Sequence, residues 1–100
     1  MAELERTKTI PLVKSISHEA TKTTYEVIEL SEPVLIQVQQ FYDEQTKSGS
    51  LSAMGLLISS VSGVPREAIK KMAFTDYKSC EVYMMSFLAY SPQPESGATN

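Results

Sequence analysis

The apolar pattern of this chain changes period once, at Glu29-Leu30-Ser31-Glu32-Pro33-Val34. Before it, apolar residues recur about every second position; after it, about every three and a half, the spacings of a half-buried strand and of a one-faced helix. The chain is therefore strand upstream of this junction and helix downstream. Ser31 is an N-cap candidate, because its hydroxyl can accept a hydrogen bond from a free N–H of the first helical turn. Pro33 suits a first-turn position that needs no donor, and Glu32 adds negative charge near the positive end of the helix dipole. The first helix should begin within a residue or two of Pro33, with Tyr25 to Leu30 as the strand that feeds it.

Upstream, Thr9 to Ile16 reads as a strand whose Pro11 lacks a ladder donor, which confines it to an edge. Ser17 to Lys22 is polar, without Gly or Pro, and so a longer loop rather than a two-residue turn. Thr23 to Leu30 resumes strand character with Tyr25, Val27 and Ile28. The two strands form an antiparallel hairpin. A lone hairpin is marginal in water, so it must pack on helices or pair with another chain; with the first strand marked as an exposed edge, a dimer or larger homo-oligomer is expected.

Four helices are predicted. The first, about Val34 to Thr46, carries Val34, Leu35, Val38, Phe41 and Tyr42 on one stripe, with Gln37, Gln39, Gln40, Asp43 and Glu44 largely opposite. Ser50 can cap the second, about Leu51 to Ser62, where Leu51, Met54, Leu57, Ile58 and Val61 fall at helical spacing. Gly63 stops it in the left-handed conformation, and Pro65 starts a third that runs to about Ala73. Thr75 or Asp76 caps the fourth, Asp76 to about Ala89, whose stripe is Cys80, Tyr83, Met84, Phe87 and Leu88. The fold class is α+β, an N-terminal antiparallel β-hairpin followed by four short helices. Residues 1–8 are expected to be a flexible lead, 9–90 a single domain and 91–100, rich in Pro, Ser and Gly, a disordered tail.

The residue chemistry points to no catalytic, cofactor or metal site. His18 is the single histidine, in a polar loop beside Glu19, and is read as solvated. Cys80 is the single cysteine, on an apolar stripe where a small buried hydrophobe is expected, with only Lys78 to activate it. Asp43 and Glu44 share a polar helix face, and Glu26 and Glu29 lie on opposite sides of one strand; neither pair converges. With one cysteine and no apolar leader or long apolar span, a cytoplasmic protein away from the membrane is expected. Residues 51–73 resemble a helix-turn-helix pair, with Arg66, Lys70 and Lys71 as candidate phosphate contacts, and a small DNA-binding regulator is the alternative function. The net charge of −3 and the lack of base-reading side chains after Pro65 argue for no nucleic acid. Val82 and Met85, which the last stripe does not claim, and Tyr90 at the helix end are the candidate partner-binding residues.

Taken in order, Thr9-Ile10-Pro11-Leu12, the junction Ile28-Glu29-Leu30-Ser31-Glu32-Pro33, the turn Gly63-Val64-Pro65 and the closing Phe87-Leu88 resemble the small tail assembly chaperones of contractile-tailed bacteriophages, over about Lys8 to Leu88. Members of that family often carry Arg where this chain has Ser31, and a Gly-Asp pair after the Pro where it has Val34-Leu35. The resemblance implies a non-enzymatic protein of the host bacterial cytoplasm. It also implies binding to the tape measure protein, which is kept soluble until tail tube protein polymerises around it.

Overall fold

The structure, a computed structural model, describes residues 5–92; the expectations for 1–4 and 93–100 fall outside the described residues. Its elements are β1 (Thr7–His18), a single 3-10 turn (Glu19–Thr21), β2 (Thr23–Ser31), α1 (Leu35–Ser48), α2 (Ser50–Ser62), α3 (Arg66–Ile69) and α4 (Phe74–Leu88). The hairpin and the four helices that follow it are those expected from the two apolar periods.

β1 and β2 pair antiparallel from Thr7 opposite Ser31 to Pro11 opposite Val27, and again from Ile16 opposite Tyr25 to His18 opposite Thr23. Between these stretches Leu12 to Ser15 of β1 face the single residue Glu26 of β2, so β1 bulges out of the ladder. The bulge also changes which residues of β2 look inward: Tyr25, Ile28 and Leu30 all contribute to the core. Ile10 and Ile16 of β1, with Ile28 and Leu30 of β2, lie on Ala53, Met54, Leu57 and Ile58 of α2, Ala68 and Ile69 of α3, and Cys80, Tyr83 and Met84 of α4. One layer of helices thus covers one face of a two-stranded sheet, which is what a hairpin of this length needs for stability.

Several helix starts differ from expectation. Ser31 stays in β2, paired with Thr7, and Val34 is the residue that opens α1, with Pro33 just before it. Gln37 fixes this start: its side-chain Oε1 reaches back to accept the Val34 N–H at 3.0 Å, the half of a capping box that the third helical position supplies. Ser50 is the first residue of α2 rather than its cap, which is Gly49. α3 is a single turn, four residues long, much shorter than expected, and α4 starts two residues early at Phe74.

The buried face of α1 is rotated from the expected stripe. Phe41 is buried and Val38 half-buried as expected, but Val34, Leu35 and Tyr42 face outward, Leu35 with 82% of its surface exposed. The covered line is Gln37, Val38, Phe41, Glu44 and Gln45. Three of these polar side chains bond across to α2: Gln37 Nε2 donates to Ser60 O at 3.3 Å and Ser60 Oγ at 3.0 Å, Ser52 Oγ donates to Glu44 at 2.6 Å, and Gln45 Nε2 donates to Ser50 Oγ at 3.2 Å. Hydrogen bonds, not apolar area, choose which side of α1 meets its neighbour. Because α1 packs mainly on α2, the molecule is elongated, with a Cα radius of gyration of 15.3 Å against about 13 Å for a compact chain of this length.

The turn after α2 is as expected. Gly63 has φ 78 and its N–H closes the helix on Ser59 O at 2.9 Å, while Ser59 Oγ donates to Val64 O at 2.6 Å. A side chain at this φ is strained, so Gly63→Ala should cost about 1–2 kcal/mol. Gly55, inside α2, has ordinary helical dihedrals and open space where a Cβ would sit, so Gly55→Ala should gain about 0.5–1 kcal/mol. Urea denaturation of the two variants should give midpoints displaced in opposite directions; a loss in both would contradict the assignment of Gly55, and a gain in both that of Gly63.

Candidate partner-binding site

α4 lies along β1, and between them runs an open groove of about 630 Å³ lined by Lys8, Thr9, Ile10 and Pro11 of the strand and Ser79, Val82, Tyr83 and Ser86 of the helix. Its floor is the buried Ile10 and Tyr83, its walls hydroxyls and aliphatic carbons. Two long-range contacts hold the walls in place. The Tyr83 hydroxyl donates to Glu5 O at 2.6 Å, which pins the start of the strand to the helix. Asp76 accepts the backbone N–H groups of Val13 and Lys14 at 3.0 and 3.2 Å, which pins the bulge.

Asp76 is therefore not the helix cap that the sequence suggested. It sits in the first turn of α4 with 2% of its surface exposed, and its carboxylate turns to the two bulge amides instead of to its own helix. The bulge takes Val13 and Lys14 out of the β1–β2 ladder, and a buried carboxylate is the stronger acceptor they can reach. Burial of Tyr83, then the nearby Glu5 and Glu32 carboxylates, raises the phenol above its ordinary value, so it stays a donor.

The expected partner residues fall on this side of the molecule but do not form one cluster. Val82, 69% exposed, lines the groove. Met85, one turn further along α4, is exposed beside it, and Tyr90 is exposed beyond the helix, which ends at Leu88. The groove itself was not foreseen, because nothing near Lys8 to Pro11 in the sequence tells which helix will lie beside it. The structure adds exposed apolar residues on other faces: Val34, Leu35, Ile36 and Tyr42 on and before α1, Leu51 on α2, and Phe74 at the start of α4. Phe74 stacks on Tyr77 with ring centroids 5.6 Å apart, and the Lys78 ammonium lies 5.8 Å from its ring centre.

His18 corrects an expectation. It closes β1 opposite Thr23, only 9% exposed, with its Nδ1 buried and without a hydrogen-bond partner, so it is part of the packed hairpin end and not a solvated loop residue. The 3-10 turn that follows it is what takes Glu19 and Ala20 outward. Cys80 is fully buried, as expected, and burial, with the Asp76 carboxylate nearby, pushes its thiol up to about 11. At neutral pH that leaves a poor nucleophile.

Arg66 and Glu44 also depart from the sequence reading. The Arg66 guanidinium lies against α1 and α2, with Nη2 donating to Glu44 Oε2 at 3.1 Å, Ser52 Oγ at 2.8 Å and Ser52 O at 3.2 Å. It joins three helices and is not presented to a phosphate; with α3 only four residues long, the pair at 51–73 has no reading helix to lay in a groove. Hydrogen bonds from Ser52 and Arg66 hold the Glu44 carboxyl below its ordinary value of 4.5. A carboxyl lowered in the folded state adds stability that is present above the unfolded value and lost as pH falls through the folded one. The stability gap between the parent chain and Glu44→Gln should thus be widest near neutral pH and narrow below about pH 4; a gap constant from pH 7 to 3 would show that the charge contributes nothing.

Residues 9–89 match the family model described as phage tail assembly chaperone proteins, E, or 41 or 14. The match takes in the helical layer and all of the hairpin and the α4 groove but the first two residues of β1, Thr7 and Lys8, and the chain belongs to the phage tail assembly chaperone family. No curated protein and no solved structure matches the chain. Among the described residues no helix is long and apolar enough to cross a membrane, and no group of three or more His, Cys, Asp or Glu is placed to hold a metal ion.

Proposed function

We propose that this chain binds the tape measure protein during tail morphogenesis and keeps it soluble until tail tube protein assembles around it. The observation that carries the reading is the family match over 9–89, which reaches from the third residue of β1 through the end of α4. The surface supports it physically. A long helical partner with nothing yet to pack on exposes apolar faces and aggregates, and a binder that covers those faces shifts the equilibrium toward the soluble form by mass action. Val82 and Met85 offer exposed apolar carbon beside a groove wide enough to seat partner side chains, as amphipathic helices do in apolar grooves. Contact of this kind is little screened by salt.

The test is co-expression with a tape measure protein, scored by its soluble fraction and by recovery of a complex at high salt. Solubilisation is expected with the parent chain and should fall with Val82→Asp and Met85→Asp combined, both positions being exposed enough to leave the fold intact. Equal partner solubility with and without this chain, and no complex recovered, would sink the proposal.

A further inference from the structure

The two edges of the hairpin are treated differently. The outer edge of β1 is closed: Pro11 has no N–H, the N–H groups of Val13 and Lys14 are held by Asp76, the Glu5 carbonyl is taken by Tyr83, and α4 runs alongside. These are the devices by which an edge strand is kept from pairing with another chain. β2 has none of them. It runs nine residues, TTYEVIELS, with no Pro, Gly or Lys, and among the described residues no hydrogen bond reaches its backbone from any element but β1. The edge expected from Pro11 to be open is the closed one, and the regular strand opposite is free.

From this asymmetry we infer that β2 is a docking edge for an extended segment of another protein that carries lysine or arginine. Charge selects the occupant. Glu26 and Glu29 are exposed along the free strand with no ion-pair partner among the described residues, and Glu32, paired with Arg6, continues the acidic line. Tyr25 and Ile28 turn to the core while Glu26 and Glu29 beside them are exposed, so an added strand with basic residues at matching spacing would meet both carboxylates. A second copy fits poorly. Its β1 edge is closed, and pairing β2 with its own copy brings four unpaired carboxylates, two from each, into one ladder, where like charges are unfavourable. Backbone hydrogen bonds would supply affinity and the carboxylates orientation, the usual division in strand addition. This surface is separate from the α4 groove and differs from it in salt dependence: binding here should weaken as ionic strength rises.

The probe is a nine-residue peptide of threonine and valine with two lysines three residues apart, compared with the same peptide carrying glutamate in place of lysine and with a version N-methylated on alternate backbone nitrogens. The readout is amide hydrogen exchange and chemical-shift change across β2 in the full chain. The lysine peptide should protect amides between Tyr25 and Glu29 and leave the residues of α1 unmoved, while the N-methylated peptide fails. In the double variant Glu26→Lys, Glu29→Lys, the lysine peptide should bind about threefold to tenfold more weakly, and the glutamate peptide should gain. Equal effects of the lysine and glutamate peptides, or shifts confined to the α4 groove, would overturn the proposal. So would protection of β2 that rises with protein concentration in the absence of peptide, which would assign the edge to a second copy.

Discussion

Asp76→Ala should lower the free energy of unfolding by about 3–5 kcal/mol, since a hydrogen bond to a charged group contributes about 1.5–3 kcal/mol and two are lost together. The carboxylate is buried and its partners are backbone N–H groups of Val13 and Lys14, more than sixty residues away in the chain. With the side chain gone, both donors lose their acceptor, having left the β1–β2 ladder at the bulge. Asp76→Asn keeps one acceptor oxygen and should lose roughly half as much. Urea denaturation gives the size from the midpoint and slope, and the amides of Val13 and Lys14 should exchange much faster in the alanine variant even under conditions where it is folded. A loss below about 1 kcal/mol would mean that water reaches the bulge and that Asp76 does not hold the groove wall.

How far the sequence foretold this fold follows from what each feature depends on. The hairpin and helices were legible because strand and helix periods are local, and the stop at Gly63 was legible because a left-handed residue after an apolar run favours glycine. The face of α1 was not, since Gln37, Glu44 and Gln45 take the inner line only when Ser60, Ser52 and Ser50 are opposite them, and the apolar side chains of Val34 and Leu35 are left outside. Asp76 at the start of a helix looks the same in sequence whether it caps its own turn or reaches for a bulge. His18 departs from expectation for a related reason: a polar run looks like a loop in sequence, whereas β1 continues through Ser17 and His18 to the hairpin end. Of the binding surface, Val82 and Met85 were legible as apolar residues left over from the core stripe, whereas the β1–α4 groove and the free β2 edge depend on which elements lie side by side.

The second large effect should come from Leu57→Ala, and its contrast with Leu51→Ala separates true core from apolar spacing. Both leucines belong to α2 and both fall on the stripe predicted from the sequence, yet Leu57 is 1% exposed and Leu51 67%. Six residues turn a helix by about 600°, so the two side chains point about 120° apart. Leu57 belongs to the core with Met54 and Ile58, while Leu51 stands in the first turn of α2, outside that core. Truncating Leu57 removes its transfer free energy and leaves a cavity between the helical layer and β2, an expected loss of about 2–5 kcal/mol. Truncating Leu51 should change stability by less than about 0.5 kcal/mol. If the chain and its variants are compared by urea denaturation at constant slope, a similar midpoint shift for both positions would show that α2 is buried all round, and that a partner or a second copy covers its start in solution.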